Sequence, residues 1–130
     1  MIGLQHFNTM DGKEVNILLV EDDSVDVINV QRAFQKNNIK NPLFTAKNGL
    51  EALNMLRGEN GFEKINPVPQ IILLDLNMPQ MNGIEFLKEL RSDPSLKKIS
   101  VFVMTTSNDE RDRFDAYNMN VAGYIIKPVS

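Results

Sequence analysis

The chain has 130 residues, the size of one domain, and a chain of this length buries roughly two-thirds of its unfolded surface without needing a disulfide or metal staple. Hydrophobic residues make up 42% and charged residues 24%, an ordinary globular composition that argues against disorder, and 14 Lys+Arg against 17 Asp+Glu leave a net charge of −3, which gives no support to a nucleic-acid-binding basic face. With no Cys in the sequence, disulfides, thiolate metal sites and thiol nucleophiles are excluded.

Residues 1–14 read as a leader. They carry no basic stretch and no apolar core of the kind a signal peptide needs, although Leu4, Phe7 and Met10 are spaced as a helical stripe. Beyond them, five short apolar runs recur: Val15–Val20, Leu43–Ala46, Ile71–Asp75, Val101–Met104 and Gly123–Ile126. The first, third and fourth are continuously apolar, as strands buried on both faces are. Helical patterns lie between them. Ser24–Asn37 puts Val27, Val30 and Phe34 on one face. The next pattern opens at Asn48 with Leu50, Leu53 and Leu56, and a third opens at Asn82 with Ile84, Phe86, Leu87 and Leu90. A fourth opens at Ser107 and is weakly apolar, with Phe114, Ala116, Tyr117 and Met119. The last three starts each have a capping side chain followed three residues later by Glu, a helix-start signature. Gly58–Gln70 reads as a long loop. Apolar runs reach only four residues, far short of the 18 or so that span a membrane. A soluble, cytoplasmic protein is expected.

Strands alternating with helices predict a three-layer α/β domain with right-handed crossovers. In such a domain the carboxyl ends of all the parallel strands meet along one edge, where ligands bind. Glu21, Asp22 and Asp23 follow the first strand here, Asp75 ends the third, Thr105, Thr106 and Ser107 follow the fourth, and Lys127-Pro128 follows the fifth. Carboxylates gathered in this way repel, by about 4 kcal/mol for two charges 4 Å apart at an effective dielectric of ~20. They therefore call for a cation or a raised pKa. Hard oxygen ligands without Cys favour Mg2+. An ion held by Asp22, Asp75 and a backbone carbonyl keeps positions open for phosphoryl oxygens. Lys127 would add positive charge to the same group, Thr105 a hydroxyl donor, and the free Asp75 oxygen a nucleophile that forms an acyl phosphate.

The segments VEDD at Val20–Asp23, LLDLNMP at Leu73–Pro79, MTTS at Met104–Ser107 and GYIIKP at Gly123–Pro128 resemble the response-regulator receiver domain of two-component signalling. The resemblance covers about residues 15–130, with all four motifs in order. It implies a flavodoxin-like five-stranded parallel sheet of order 2-1-3-4-5 with flanking helices. It also implies that Asp75 is the phosphoacceptor, that Asp22 is the direct Mg2+ ligand with Glu21 its outer-sphere partner, and that Asn77 lends its backbone carbonyl. Thr105 is similar to the hydroxyl that shifts toward the phosphoryl group, Lys127 to the family's motif lysine, and Tyr124 to its aromatic switch. Asn77 and Ser107 occupy positions that tune self-dephosphorylation in the family, and Pro128 is expected to follow a cis peptide bond. VEDDSVDV, the long loop and LRSDPSLKKISVFVMTTS look like single-domain receivers of the bacterial phytochrome-partner type.

The partners implied are a sensor histidine kinase or phosphotransfer protein, of phytochrome type by the same resemblance, and a downstream protein. No nucleic-acid or membrane partner is implied. Family dimers often use the fourth helix, fifth strand and fifth helix, so a homodimer remains open. Receivers close with a fifth helix beside the first; this sequence stops at Ser130, so that helix is expected to be missing and one sheet face to lack its cover.

Each residue also has a blander reading. Asp23 is best read as a helix-start charge, Tyr124 has strand packing as its alternative, and His6 reads as solvated. Competing functions are a degenerate receiver acting as a scaffold and a Mg2+-dependent phosphatase with an aspartyl-phosphate intermediate. The phosphatase would need an acid/base Asp where Asn77 stands. A nucleotide binder would want a glycine- or hydroxyl-rich cradle where Glu21-Asp22-Asp23 stands.

Overall fold

The structure is a computed structural model that describes residues 15–76, 81–106 and 118–128. The leader, Asn77, Ser107 and the pattern opening at Ser107 lie outside the described residues. The elements are β1 (Ile17–Val20), α1 (Ser24–Lys36), β2 (Leu43–Ala46), α2 (Gly49–Arg57), β3 (Ile71–Asp75), α3 (Gly83–Ser92), β4 (Ser100–Thr105) and β5 (Gly123–Ile126). All strand pairs are parallel and the order is β2-β1-β3-β4-β5.

The continuous apolar runs have the cause that a doubly covered sheet requires. Successive strand residues point to opposite faces, and both faces are buried. Leu18, Val20, Ile72, Leu74, Val101 and Val103 pack with Leu53 and Leu56 of α2 and Phe86, Leu87 and Leu90 of α3. Their neighbours Ile17, Leu19, Ile71, Leu73, Phe102, Met104 and Ile125 pack with Val30 and Phe34 of α1.

Helix starts follow the capping residues. Asp23 caps α1, its Oδ1 accepting from the N–H of Val25 at 2.8 Å and of Asp26 at 3.4 Å. Asn48 accepts from Glu51 N–H at 2.7 Å. Asn82 and Glu85 form a reciprocal capping box, 3.0 and 3.2 Å, which satisfies two otherwise orphaned donors of α3. The glycine after Asn82 is needed for close approach: a Cβ on Gly83 would sit 2.8 Å from Leu76 Cα and 3.1 Å from the Asp75 carbonyl oxygen. The start of α3 is thereby pressed against the end of β3.

Two strands and one helix face differ from the sequence expectation. β1 starts at Ile17 rather than Val15, because Val15 and Asn16 are engaged outside the sheet: the Val15 carbonyl accepts from the Asn41 side chain and the Asn16 side chain donates to the Pro67 carbonyl. β4 extends one residue further at each end. In α2, Leu53 and Leu56 are buried but Leu50 is 46% exposed. An i, i+3, i+6 stripe drifts around a helix of about 3.6 residues per turn, so its first and last members cannot share one face; Ala52 takes the place expected for Leu50.

Candidate functional site

Sheet register carries the key side chains to one edge. Val20 is level with Leu74, so Glu21 and Asp75 are adjacent. Asp75 is level with Met104 and Thr105 with Ile126, and the Lys127 N–H donates to the Thr105 carbonyl at 2.9 Å. Alternation then sorts them by face. Glu21 continues the Ile17–Leu19 set, Asp75 the Ile71–Leu73 set and Lys127 follows Ile125, all on the α1 side. Thr105 continues the Val101–Val103 set on the α2/α3 side, where Tyr124 also packs.

Glu21, Asp22 and Asp75 offer carboxylate oxygens that lie within 4.8 Å of one another. Glu21 and Asp75 are buried and Asp22 is exposed, so the cluster opens to solvent on one side. Glu21 is oriented by its Oε2, which accepts from the Asp23 N–H at 3.2 Å. The Lys127 Nζ lies 3.1 Å from Glu21 Oε1, 3.2 Å from Asp75 Oδ1 and 3.0 Å from Asp26 Oδ2. The contact with Glu21 is one of charge, and Oε1 is buried without a hydrogen-bond partner.

The electrostatics follow from burial and charge. Burial first, then the neighbouring Asp75 charge, pushes the Glu21 carboxyl up to about 7; Lys127 and the Asp23 N–H pull the other way. For Lys127, burial alone would lower the pKa, but the hydrogen bond to Asp26 and the charges of Asp75 and Glu21 outweigh it and hold the ammonium above its ordinary range. The lysine is therefore a permanent cation here.

These residues fit a hard divalent cation. Three close oxygen donors carry more charge than one ammonium neutralises, and the buried Glu21 Oε1 lacks a hydrogen-bond partner. Thr105 is fully buried with its Oγ1 unpartnered, leaving a donor available at the same sheet edge.

The structure thus brings together Glu21, Asp22, Asp75 and Lys127, with Thr105 at the end of the neighbouring strand. Tyr124 is half-buried and packs against the α2/α3-side core. Asp23 does what its blander reading said and caps α1. Pro128 requires a correction. Among the described residues the cis peptide bond is Asn66–Pro67, and Lys127–Pro128 is not in that isomer; an X–Pro bond takes the trans form by default, by about 0.5–1 kcal/mol. Sequence reasoning missed Asp26. Its signal was present in an acidic residue in the first turn of α1, three places after the cap, but such residues are ordinarily explained by the helix dipole alone.

The chain matches the family described as "Response regulator receiver domain" over residues 17–130. It is 40% identical over 111 residues to the response regulator Rcp1 of Synechocystis, covering 85% of this chain and 75% of that protein. A crystal structure of Rcp1 in a Mn(2+)-bound form superposes with a TM-score of 0.73, at 36% identity over 89% of this chain and 83% of the other. A two-component response regulator from Legionella pneumophila is 47% identical with a TM-score of 0.76, covering 88% and 87% of the two chains. The phosphorylated cyanobacterial phytochrome response regulator RcpA is 38% identical with a TM-score of 0.76, covering 91% and 84%.

Proposed function

From the premise that this chain belongs to the response-regulator receiver family, we propose that it is a phosphorylation switch that takes a phosphoryl group on Asp75 and signals through a protein partner. The observation that carries this reading is the buried Asp75 carboxylate, flanked by Glu21 and Asp22 and 3.2 Å from the Lys127 ammonium. A nucleophilic carboxylate, a charge-balancing cluster and a fixed cation are the parts that phosphoryl transfer needs, because catalysis there is mostly positioning and charge neutralisation.

In the proposed transfer an Asp75 oxygen forms a bond to phosphorus, and the bond from phosphorus to the donor's imidazole nitrogen breaks. The imidazole leaves with that electron pair. Asp22 and Asp75, with the Asn77 carbonyl, would hold Mg2+, and Glu21 would support it from the outer shell. The bound ion would supply positive charge to the phosphoryl oxygens. Lys127 neutralises a further part of that charge. Thr105 is the donor proposed to turn toward the phosphoryl group, and Tyr124 the aromatic residue whose rearrangement reports it; Ser107 and Asn77 would set the lifetime. The likeness to the phytochrome response regulator RcpA supports a phytochrome-type histidine kinase, or a phosphotransfer protein, as the donor, in the cytoplasm. Among the described residues no helix is long and apolar enough to cross a membrane.

The test is intact-mass analysis after incubation with Mg2+ and a small acyl-phosphate donor. One phosphoryl adduct is expected, lost on chelation of Mg2+ and lost in Asp75→Asn. An adduct that persists in Asp75→Asn places the acceptor elsewhere. No adduct in folded wild-type protein would favour the scaffold reading.

A further inference from the structure

Phosphoryl chemistry at Asp75 gives Lys127 two natural counter-charges, Glu21 and Asp75, yet the ammonium has three. The third, Asp26, is the nearest at 3.0 Å, and it is aligned as a hydrogen bond. Asp26 lies outside the carboxylate cluster suited to a cation. It does not cap α1, since Asp23 does that. Its contact ties the first turn of α1 to the residue after β5, across 101 positions of sequence.

We propose that Asp26 is a positioning residue that anchors Lys127 in the unphosphorylated protein and competes with the phosphoryl group for its ammonium. The second half of this inference rests on the proposed function; the first stands on the geometry alone. The ammonium has three close carboxylate contacts, at 3.0, 3.1 and 3.2 Å to Asp26, Glu21 and Asp75, and the one to Asp26 is aligned as a hydrogen bond, whereas Glu21 Oε1 accepts none. A phosphoryl group brings about −1.5 to −2 of charge and three strong acceptors. Turning Lys127 toward it draws the ammonium away from at least one of these carboxylates. The Glu21 and Asp75 side chains are 1% and 5% exposed, whereas that of Asp26 is 28% exposed. Water can solvate the released Asp26 carboxylate at far lower cost than either of the buried ones. Asp26 is therefore the contact that gives way. While in place it both holds the lysine and adds a repelling charge near the incoming phosphoryl group.

The experiment uses the full chain as wild type, Asp26→Asn, Asp26→Glu and Lys127→Arg. The first readout is the 1H–15N signal of the Lys127 ammonium, visible when hydrogen bonds slow its exchange and assigned by its loss in Lys127→Arg. It is expected in wild type and in Asp26→Glu, and shifted or lost in Asp26→Asn, with the backbone amide spectrum of each variant reporting an intact fold. A merely structural role for Asp26 would leave that signal unmoved. The second readout is the ratio of phosphorylated to unphosphorylated protein at limiting acyl phosphate and fixed Mg2+. Asp26→Asn is expected to raise it about three- to tenfold, the size of one charge-assisted hydrogen bond at a partly exposed site. Asp26→Glu should return it to near wild type. An unchanged ammonium signal in Asp26→Asn overturns the anchor. An unchanged ratio, in a protein whose wild type is phosphorylated, overturns the competition. If wild type takes up no phosphoryl group, the proposed function fails and the competition with it, and the ammonium signal still decides the anchor.

Discussion

Among the described residues two enclosed cations, Lys127 and Arg91, lie at opposite edges of one sheet, and they are held in opposite ways. Lys127, just past β5, is surrounded by the carboxylates of Glu21, Asp26 and Asp75. Arg91, in the last turn of α3, is surrounded by backbone: its Nη1 donates to the carbonyls of Lys97 and Ile99 at 2.8 Å each and its Nη2 to that of Asn120 at 3.1 Å. Carboxylates hold the Lys127 ammonium above its ordinary pKa, whereas burial without a counter-charge lowers that of Arg91. The clefts of about 320 and 560 Å³ beside Arg91 have Lys97 and Lys98 in their walls and no carboxylate among their lining residues. Carboxylates can be phosphorylated or protonated; backbone carbonyls cannot. The Lys127 edge is therefore one whose electrostatics chemistry can rewrite. At the Arg91 edge a planar fork fastens the end of α3 to the turn before β4 and to the segment that leads into β5.

The largest effect should come from removing the one group that chemistry acts on. Asp75→Asn is expected to abolish the phosphoryl adduct completely while leaving the circular-dichroism spectrum and amide dispersion intact. Loss of fold in this variant would make Asp75 a structural residue and dissolve the contrast. Next, Lys127→Ala should still bind Mg2+, since the carboxylate cluster remains and loses a competing cation. It should not show the tyrosine-fluorescence or amide-shift response that phosphorylation produces in wild type. A normal response would remove Lys127 from the switch.

At the other edge the effect should fall on stability alone. Arg91→Ala removes three charge-assisted hydrogen bonds to carbonyls and is expected to cost about 2 kcal/mol, since such bonds do not add fully. For a domain of this size that is a fall of roughly 8 °C in Tm, read by thermal denaturation, with phosphorylation at Asp75 unchanged. Arg91→Lys should recover less than half of it, because an ammonium is a point donor and cannot reproduce the fork. Full recovery by Lys would mean that charge, not the fork, is what this edge uses.

The two edges also differ in how much of them the sequence shows. The carboxyl-terminal edge was legible because its residues follow strands: Asp75 ends a continuously apolar run, Glu21 and Asp22 follow another, and Lys127 comes one residue after a third. The strand bounds Leu43–Ala46, Ile71–Asp75 and Gly123–Ile126 and the caps Asn48 and Asn82 were equally visible, since caps and burial are local patterns. Contacts made across the fold were not legible. Nothing in the spacing of VEDDSVDV aims the Asp26 side chain at a lysine 101 residues away. Arg91 reads as a helix-end cation suited to the dipole, and its three carbonyl partners emerge only when the approaches to β4 and β5 are folded beside it. Leu50 failed for a different reason: three apolar residues at a spacing of three look like a stripe, but each step falls short of a full helical turn, so they cannot all share a face.

The smallest effect, and the one that sharpens the contrast most, is a pH dependence. With no metal bound, the Glu21 carboxyl is pushed from 4.5 to about 7, by burial and then by the charge of Asp75. A carboxyl whose pKa is raised on folding holds its proton more tightly in the native state than in the unfolded chain. Its contribution to stability is complete below about 4.5 and is lost as pH rises through about 7. The metal-free protein should therefore grow less stable between pH 5 and pH 8. A divalent cation needs the ionised carboxylate and must displace that proton. Apparent Mg2+ affinity, measured by calorimetric titration, should be level above pH 7 and fall up to about tenfold for each pH unit below it. Glu21→Gln should flatten that fall, and Arg91→Ala should leave it in place, because the two edges act independently. A profile already flat between pH 8 and pH 6 in wild type would mean that Glu21 is ionised throughout, and that the Lys127 ammonium alone outweighs the cost of burying its charge.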